Sequence, residues 1–188
     1  LNPNAMPQRL MSWASASNVG WSVMSVDFTL DLPDEAATLA LGRLLAPALQ
    51  ANMTVYLQGD LGAGKTTLVR GLLRALGFNG KVKSPTYTLL ETYPVSLANQ
   101  IPLQLCHFDL YRFNDEEEWE SAGFREYFNA RTVCLIEWPD KAKNCLNRPD
   151  LEIVFDVKML GEALGRGVRI MAHTPLGKQC LQGIPGSL

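Results

Sequence analysis

Residues 59–67 read Gly59-Asp60-Leu61-Gly62-Ala63-Gly64-Lys65-Thr66-Thr67, which satisfies G-x-x-x-x-G-K-[ST]. Glycines at this spacing let the backbone turn through positive φ and approach a polyphosphate closely. Successive N–H groups and a helix N-terminus then face its charge. Such a loop needs a strand before it and a helix after it, and the flanking sequence predicts both. Residues 53–57 are short and largely apolar and lead into Gly59. Beyond the loop Leu68, Val69, Leu72, Leu73 and Leu76 fall at i, i+1, i+4, i+5 and i+8, one broad apolar stripe, with Gly77 placed as the C-terminal cap. Gly71 inside this helix costs about 1 kcal/mol relative to Ala, and close packing against the sheet would account for it.

The remaining chain alternates in the same way. Residues 26–30 have the alternation of a strand, and Pro33-Asp34-Glu35 opens an acidic first turn of a helix running to about residue 50, with Leu39, Leu41, Leu44, Leu45 and Leu49 on its apolar face. Residues 86–92 and 103–111 read as strands separated by a loop over 94–102, and 116–119 and 124–129 as short helices broken by Gly123. Val133-Cys134-Leu135-Ile136 is a continuous apolar run, expected of a strand buried on both faces, and Pro139 stops it. Residues 151–157 and 169–172 read as two antiparallel closing strands. The expected fold is α/β: a single P-loop NTPase domain over 26–173, with a mostly parallel central sheet flanked by helices. A poorly ordered leader, 1–25, is expected before it and a Gly/Pro-punctuated tail, 174–188, after it. The leader lacks the basic-then-apolar order of a secretory signal, and Met24 reads as a natural start.

Composition narrows the function classes. The 188 residues are 47% hydrophobic with a net charge of −2, enough for one sizeable core and against a broad basic face that grips nucleic acid unaided. Any link to RNA is therefore expected to be indirect. No run approaches the roughly 18 apolar residues of a membrane-spanning helix, so no membrane contact and a cytoplasmic location are expected. Cys106, Cys134, Cys145 and Cys180 stand far apart with no C-x-x-C pair, which reads as reduced thiols rather than zinc ligands.

A P-loop enzyme also needs carboxylates at neighbouring strand ends, to hold magnesium or orient an attacking water. Glu137 closes the run 133–136, and Asp109 ends the run 103–108 within His107-Phe108-Asp109-Leu110-Tyr111-Arg112. Spacing leaves their division of labour open. In the loop, Lys65 is placed to reach the β- and γ-phosphates, Thr66 to ligate magnesium and Thr67 to donate to the α-phosphate. Ser84-Pro85-Thr86-Tyr87-Thr88 lies where a switch segment could sense the γ-phosphate. His107 reads as a packed or hydrogen-bonded histidine, and Trp138 as either core or a neighbour of the nucleotide.

The P-loop, Ser84-Pro85-Thr86-Tyr87-Thr88, the His107 to Arg112 string and Ile136-Glu137-Trp138-Pro139, in that order, closely resemble the TsaE family over roughly residues 28–170. That family is the ATPase component of the bacterial machinery for N6-threonylcarbamoyladenosine at position 37 of tRNA. The resemblance implies slow hydrolysis of ATP with magnesium, in company with two partner proteins: the threonylcarbamoyl transferase subunit and its heterodimer partner. It implies that Gly62, Ala63, Gly64, Lys65, Thr66 and Thr67 hold the phosphates, with Thr66 and Glu137 on the metal. Asp109 would be the further catalytic acid, Thr86 the switch threonine and Trp138 a functional aromatic. It also implies nucleotide contacts at Asp34-Glu35 and Gly165-Arg166, although residues 159–164 look inserted and the loop 94–102 looks long. Two other readings stand beside it, a small-molecule kinase and a binding module with vestigial hydrolysis. A kinase needs an acceptor pocket and usually an arginine-bearing lid; Arg112, Arg125 and Arg131 are present, but no Arg-rich lid is visible in the sequence.

Overall fold

The computed structural model describes residues 27–97 and 102–184, so the expected leader lies outside the described residues. Strand β1 (Asp27–Leu32) leads into helix α1 (Glu35–Leu45). Asp34 caps that helix, its side chain accepting the Ala37 N–H at 2.7 Å, an arrangement that stabilises by about 1 kcal/mol. The helix ends at Leu45 rather than near residue 50, because Pro47 cannot donate into another α-turn and Ala46–Ala48 form a 3-10 turn instead. Strand β2 (Met53–Gln58), the glycine-rich loop and helix α2 (Lys65–Ala75) follow as the spacing predicts. After them come β3 (Leu90–Ser96), β4 (Pro102–Asp109), α3 (Glu116–Ser121), β5 (Thr132–Glu137), β6 (Leu151–Leu160), β7 (Ala163–Ala172) and α4 (Pro175–Gln182).

The seven strands form one sheet in the order β1-β7-β6-β2-β5-β4-β3. Its middle, β6-β2-β5-β4, is parallel, while the pairings of β1 with β7, β7 with β6 and β3 with β4 are antiparallel. The sheet is thus evenly mixed rather than mostly parallel. The physical reason is connection length: β6 and β7 are joined by a two-residue turn at Gly161, too short for the crossover that parallel strands require.

Other expectations change locally. Residues 86–89 form a turn, not a strand; Leu89 N–H donates to Pro85 O at 2.7 Å, and Leu89 itself has φ +61°. Strand β3 starts at Leu90 and continues through Pro94 into the expected loop. It can do so because it is an edge strand, where a missing N–H costs no ladder bond on the open side. The residues that look inserted, 159–164, are the far ends of β6 and β7 and the turn between them, so both strands run longer than expected. The expected tail contributes α4, whose Cys180 and Leu181 are fully buried.

Strand alternation divides the core between the sheet's two faces. Val55, Leu57, Leu105, Val133, Leu135 and Ile153 pack with α1, α2 and α4 on one face. Cys106, Phe108, Cys134 and Ile136 pack with Trp119 and Phe124 on the other. Helices α1 and α2 cross very closely: a Cβ on Gly71 would lie 2.5 Å from Leu39 O, and one on Gly42 would lie 2.5 Å from Leu68 O. Gly71 therefore serves contact with α1, not with the sheet. Among the described residues, no helix is long and apolar enough to cross a membrane.

Candidate active site

Because β2, β5 and β4 are parallel neighbours, their C-terminal ends share one edge of the sheet, with Glu137 in register between Leu57 and Asp109. The glycine-rich loop leaves β2 at that edge. Gly62 (φ +79°) and Gly64 (φ +115°, the N-cap of α2) hold backbone conformations that a side chain would strain. A cavity of about 140 Å³ opens there. It is lined by Gly62, Gly64, Lys65, Thr66 and Thr67 from the loop and α2, by Asp109 and Glu137 from the strand ends, and by Ser84, Thr86 and Trp138.

Lys65 is 4% exposed, yet its Nζ donates to neutral carbonyls, Gly59 O at 2.5 Å and Asp60 O at 2.9 Å. It also lies 4.2 Å from the centre of the Trp138 ring. Burial lowers its pKa below the usual lysine value, against the opposing pull of Glu137, Asp109 and Asp60. A buried ammonium bonded mainly to carbonyls is a place prepared for an anion.

The two acids are held by different hydroxyls. Thr66 Oγ1 donates to Glu137 Oε1 at 2.7 Å, and His107 Nε2 lies 2.9 Å from the same oxygen. Ser84 Oγ and Thr86 Oγ1 each donate to Asp109 Oδ2 at 2.6 Å, while Asp109 Oδ1 accepts the Tyr111 N–H at 3.1 Å. Trp138, directly after Glu137, has φ +58°, a costly conformation for a bulky residue. Its ring lies beside Lys65, with the Tyr111 ring 5.1 Å away.

The flanking candidates divide. Arg166, on β7, donates from Nε to Ala63 O at 2.8 Å, and Gly165 is buried beside it; the hairpin thus delivers Gly165-Arg166 to the loop. A Cβ on Gly64 would come within 3.1 Å of Arg166 Nε, so the guanidinium lies against the loop itself. Glu35 pairs with Arg70 at 3.1 Å on the α1–α2 surface and does not line the cavity. Neither do Arg112, stacked 4.4 Å over Tyr87, and Arg125, bonded to Glu120. Sequence reasoning named Ser84, Leu61 and Tyr111 only as parts of motifs, yet all three line the cavity. The bond from His107 to Glu137 also escaped it. One signal was available: His107 sits two residues before Asp109 on a strand and so shares its face.

Among the described residues no three His, Cys, Asp or Glu side chains group closely enough to hold a metal by themselves. The Thr66 hydroxyl beside the Glu137 carboxylate is nevertheless a hard oxygen pair of the kind magnesium takes when phosphate oxygens and waters complete its shell.

Fold and site together define an α/β protein with a glycine-rich loop at a strand–helix junction, facing acids on the two neighbouring strand ends. The family model described as Threonylcarbamoyl adenosine biosynthesis protein TsaE matches residues 32–164, and the chain belongs to the TsaE family. It is 43% identical over 155 residues to the tRNA threonylcarbamoyladenosine biosynthesis protein TsaE of Haemophilus influenzae, covering 80% of this chain and 92% of that one. The protein of the same name from Bacillus subtilis is 39% identical over 123 residues, covering 65% of this chain and 72% of its own. Among solved structures the fold is similar to that of Bacillus subtilus YdiB, with a TM-score of 0.69 and 26% identity, covering 87% of this chain and 97% of that one.

Proposed function

We propose that this chain is a P-loop ATPase that binds ATP with magnesium and hydrolyses it slowly, supporting repeated formation of threonylcarbamoyladenosine at position 37 of tRNA by two partner proteins in the cytoplasm. The observation that carries the reading is the convergence of Lys65, Thr66, Asp109, Glu137 and Thr86 on one cavity at the mouth of the glycine-rich loop. Family membership and the names of the relatives support the tRNA role. The catalytic unit is the domain from residue 26 onward, with the leader outside it. Deleting residues 1–23 is expected to leave nucleotide affinity and melting temperature unchanged.

In this reading the loop amides from Gly62 to Thr67 and Lys65 bind the phosphates, and Arg166 braces the loop at Ala63. Thr66 and Glu137 would hold magnesium, which when bound would neutralise charge on the phosphates. Asp109, or Glu137, orients the attacking water for in-line displacement, and Lys65 with the amides stabilises the charge that develops. Thr86 leaves Asp109 to meet the γ-phosphate, which makes the Ser84–Thr86–Asp109 clasp the resting state of the switch. Trp138 packs beside Lys65 and shields it. Glu35, committed to Arg70, acts on the nucleotide only if that exposed pair opens. Among the described residues no arginine lines the cavity, so basal turnover is slow and rises when a partner completes or rigidifies the site.

The test is ADP release from ATP and magnesium by the purified protein, alone and then with the two partner proteins and tRNA lacking the modification. Slow hydrolysis that rises with partners and accompanies multiple turnovers of threonylcarbamoyladenosine supports the proposal. Hydrolysis indifferent to the partners removes the tRNA role and leaves the P-loop assignment.

A further inference from the structure

The buried histidine beside Glu137 is not explained by packing alone. His107 is completely inaccessible on β4, between β3 and β5, and its Nδ1 has no hydrogen-bond partner among the described residues. A buried polar atom without a partner destabilises the fold, and an apolar side chain at this position would avoid that cost. What the imidazole does provide is Nε2, 2.9 Å from Glu137 Oε1. An ionised carboxylate can only accept, so the bond to Glu137 places a hydrogen on Nε2.

The same Glu137 oxygen also accepts from Thr66. These two donors differ in kind. Thr66 begins α2 immediately after the glycine-rich loop and faces the cavity, so its environment changes whenever ligand enters. His107 sits in a strand paired on both sides, with its ring in the core, and nothing that enters the cavity needs to displace it. Glu137 is itself 3% exposed, and Asp109 and Lys65 are the charged groups that face it across the cavity edge. A carboxylate held between a donor that faces the cavity and one set in the core keeps its orientation from the one that ligand does not reach.

We propose that His107 is a positioning residue: its Nε2–H fixes the Glu137 carboxylate in the orientation that receives magnesium with the nucleotide. It acts through Glu137 and touches neither phosphate nor metal. Outer partners of this kind set metal affinity, and their loss typically weakens it about 10- to 100-fold. The inference rests on the magnesium-and-ATP reading above and deepens it.

Three variants separate a hydrogen bond from mere volume. His107→Leu removes the donor, His107→Asn carries an amide too short to reach Glu137, and His107→Gln places an amide near the position of Nε2. Calorimetric titration of each with ADP, at a series of MgCl2 concentrations and without it, gives nucleotide and metal affinities independently of turnover. The expected result is at least a tenfold rise in the magnesium concentration for half-effect in the Leu and Asn variants and recovery to within about threefold of wild type in the Gln variant. ADP affinity without magnesium should be the same in all four proteins, and the Leu variant should melt no lower than wild type. Wild-type magnesium dependence in the Leu variant, or equal losses in Asn and Gln, overturns the proposal. A wild-type protein whose ADP affinity ignores magnesium overturns the metal reading itself. Two-bond ¹H–¹⁵N correlation of the wild-type imidazoles, assigned with His173→Gln, needs no folded His107 variant: a hydrogen on Nε2 supports the role, and one on Nδ1 alone overturns it.

Discussion

Lys65 holds its charge in a place where burial lowers its pKa, against the pull of nearby carboxylates. Its ammonium is buried against loop carbonyls and the Trp138 ring, and burial is the largest influence on its pKa. Bound phosphate would replace neutral acceptors with charged ones, roughly doubling the strength of each bond. Lys65→Ala is therefore expected to weaken ADP and ATP binding at least tenfold in a calorimetric titration, while the ligand-free protein melts at the wild-type temperature or slightly above. Unchanged affinity would separate Lys65 from the phosphates. Tyr56 is the opposite case, a residue whose burial favours the neutral form it already has. Its hydroxyl donates to Asn147 O, and burial, then Glu152 and Asp140, raise its pKa from 10.0 to about 12. Between those values the unfolded chain loses the phenolic proton and the folded chain keeps it, so stability falls as pH rises through that window. Cys180, also pushed up to about 12 by burial, adds to the fall. Melting curves from pH 9 to 12 should therefore decline steeply in the wild type and less steeply above pH 10 in Tyr56→Phe; parallel curves would remove Tyr56 from the account.

At the level of elements, the crossing of α1 and α2 depends on a glycine from each side. Each helix gives a glycine to the other's backbone: Gly42 meets Leu68 O and Gly71 meets Leu39 O. A methyl group at either position cannot be fitted by turning a side chain, because the obstacle is main chain. Gly71→Ala gains about 1 kcal/mol of helix propensity and loses more to overpacking, so a net destabilisation of roughly 1–2 kcal/mol is expected in urea unfolding, with an unchanged slope. A stabilised variant would mean that the crossing opens at no cost. The sequence announced Gly71 as a packing position and pointed to the sheet where the partner is α1, since periodicity assigns a face to a helix and says nothing about which neighbour fills it. The same limit explains the other differences. Strand β2, the loop and α2 were legible because the motif is local and each residue in it has one job. Glu137 was legible because an uninterrupted apolar run has an obvious end. Pro94 read as a loop because proline excludes a central strand, and only the sheet order shows that β3 is an edge. The β6–β7 hairpin was read too short because Gly161, Glu162 and Gly165 interrupt the alternation, although those residues form the turn and carry Arg166 to the loop. The bond from His107 to Glu137 joins residues 30 apart: alternation places His107 on the face of Asp109, but only the pairing of β4 with β5 brings Glu137 to it.

For the molecule as a whole, the parallel strands separate a chemical end from a structural one. The loop and both acids lie at the C-terminal ends of β2, β4 and β5. At the other end Asp150 gathers the chain: its carboxylate accepts from Thr54 N–H at 2.9 Å and from the Thr174 hydroxyl, and its carbonyl accepts from His173 N–H at 2.9 Å. Thr174 in turn caps α4 by accepting the Gly177 N–H at 3.1 Å, and α4 inserts Cys180 and Leu181 into the core beneath α1 and α2. Removing residues 174–188 thus exposes the apolar surface that Leu181 and Cys180 cover and leaves Asp150 without one of its donors. The combined loss is about 3–5 kcal/mol from burial and capping. For a chain of this size, that corresponds to a melting temperature lower by roughly 10 °C. No residue of α4 lines the cavity, so ADP affinity measured at 10 °C, where the truncated protein stays folded, should remain within twofold of the full chain. A large affinity loss with intact folding would place α4 in communication with the loop across the full length of β2. An unchanged melting temperature would mean that the helix rests on a core already complete without it. The expected pair of results, a weaker fold with an unaltered site, makes the C-terminal helix a clamp on the sheet and leaves the nucleotide chemistry to the opposite edge.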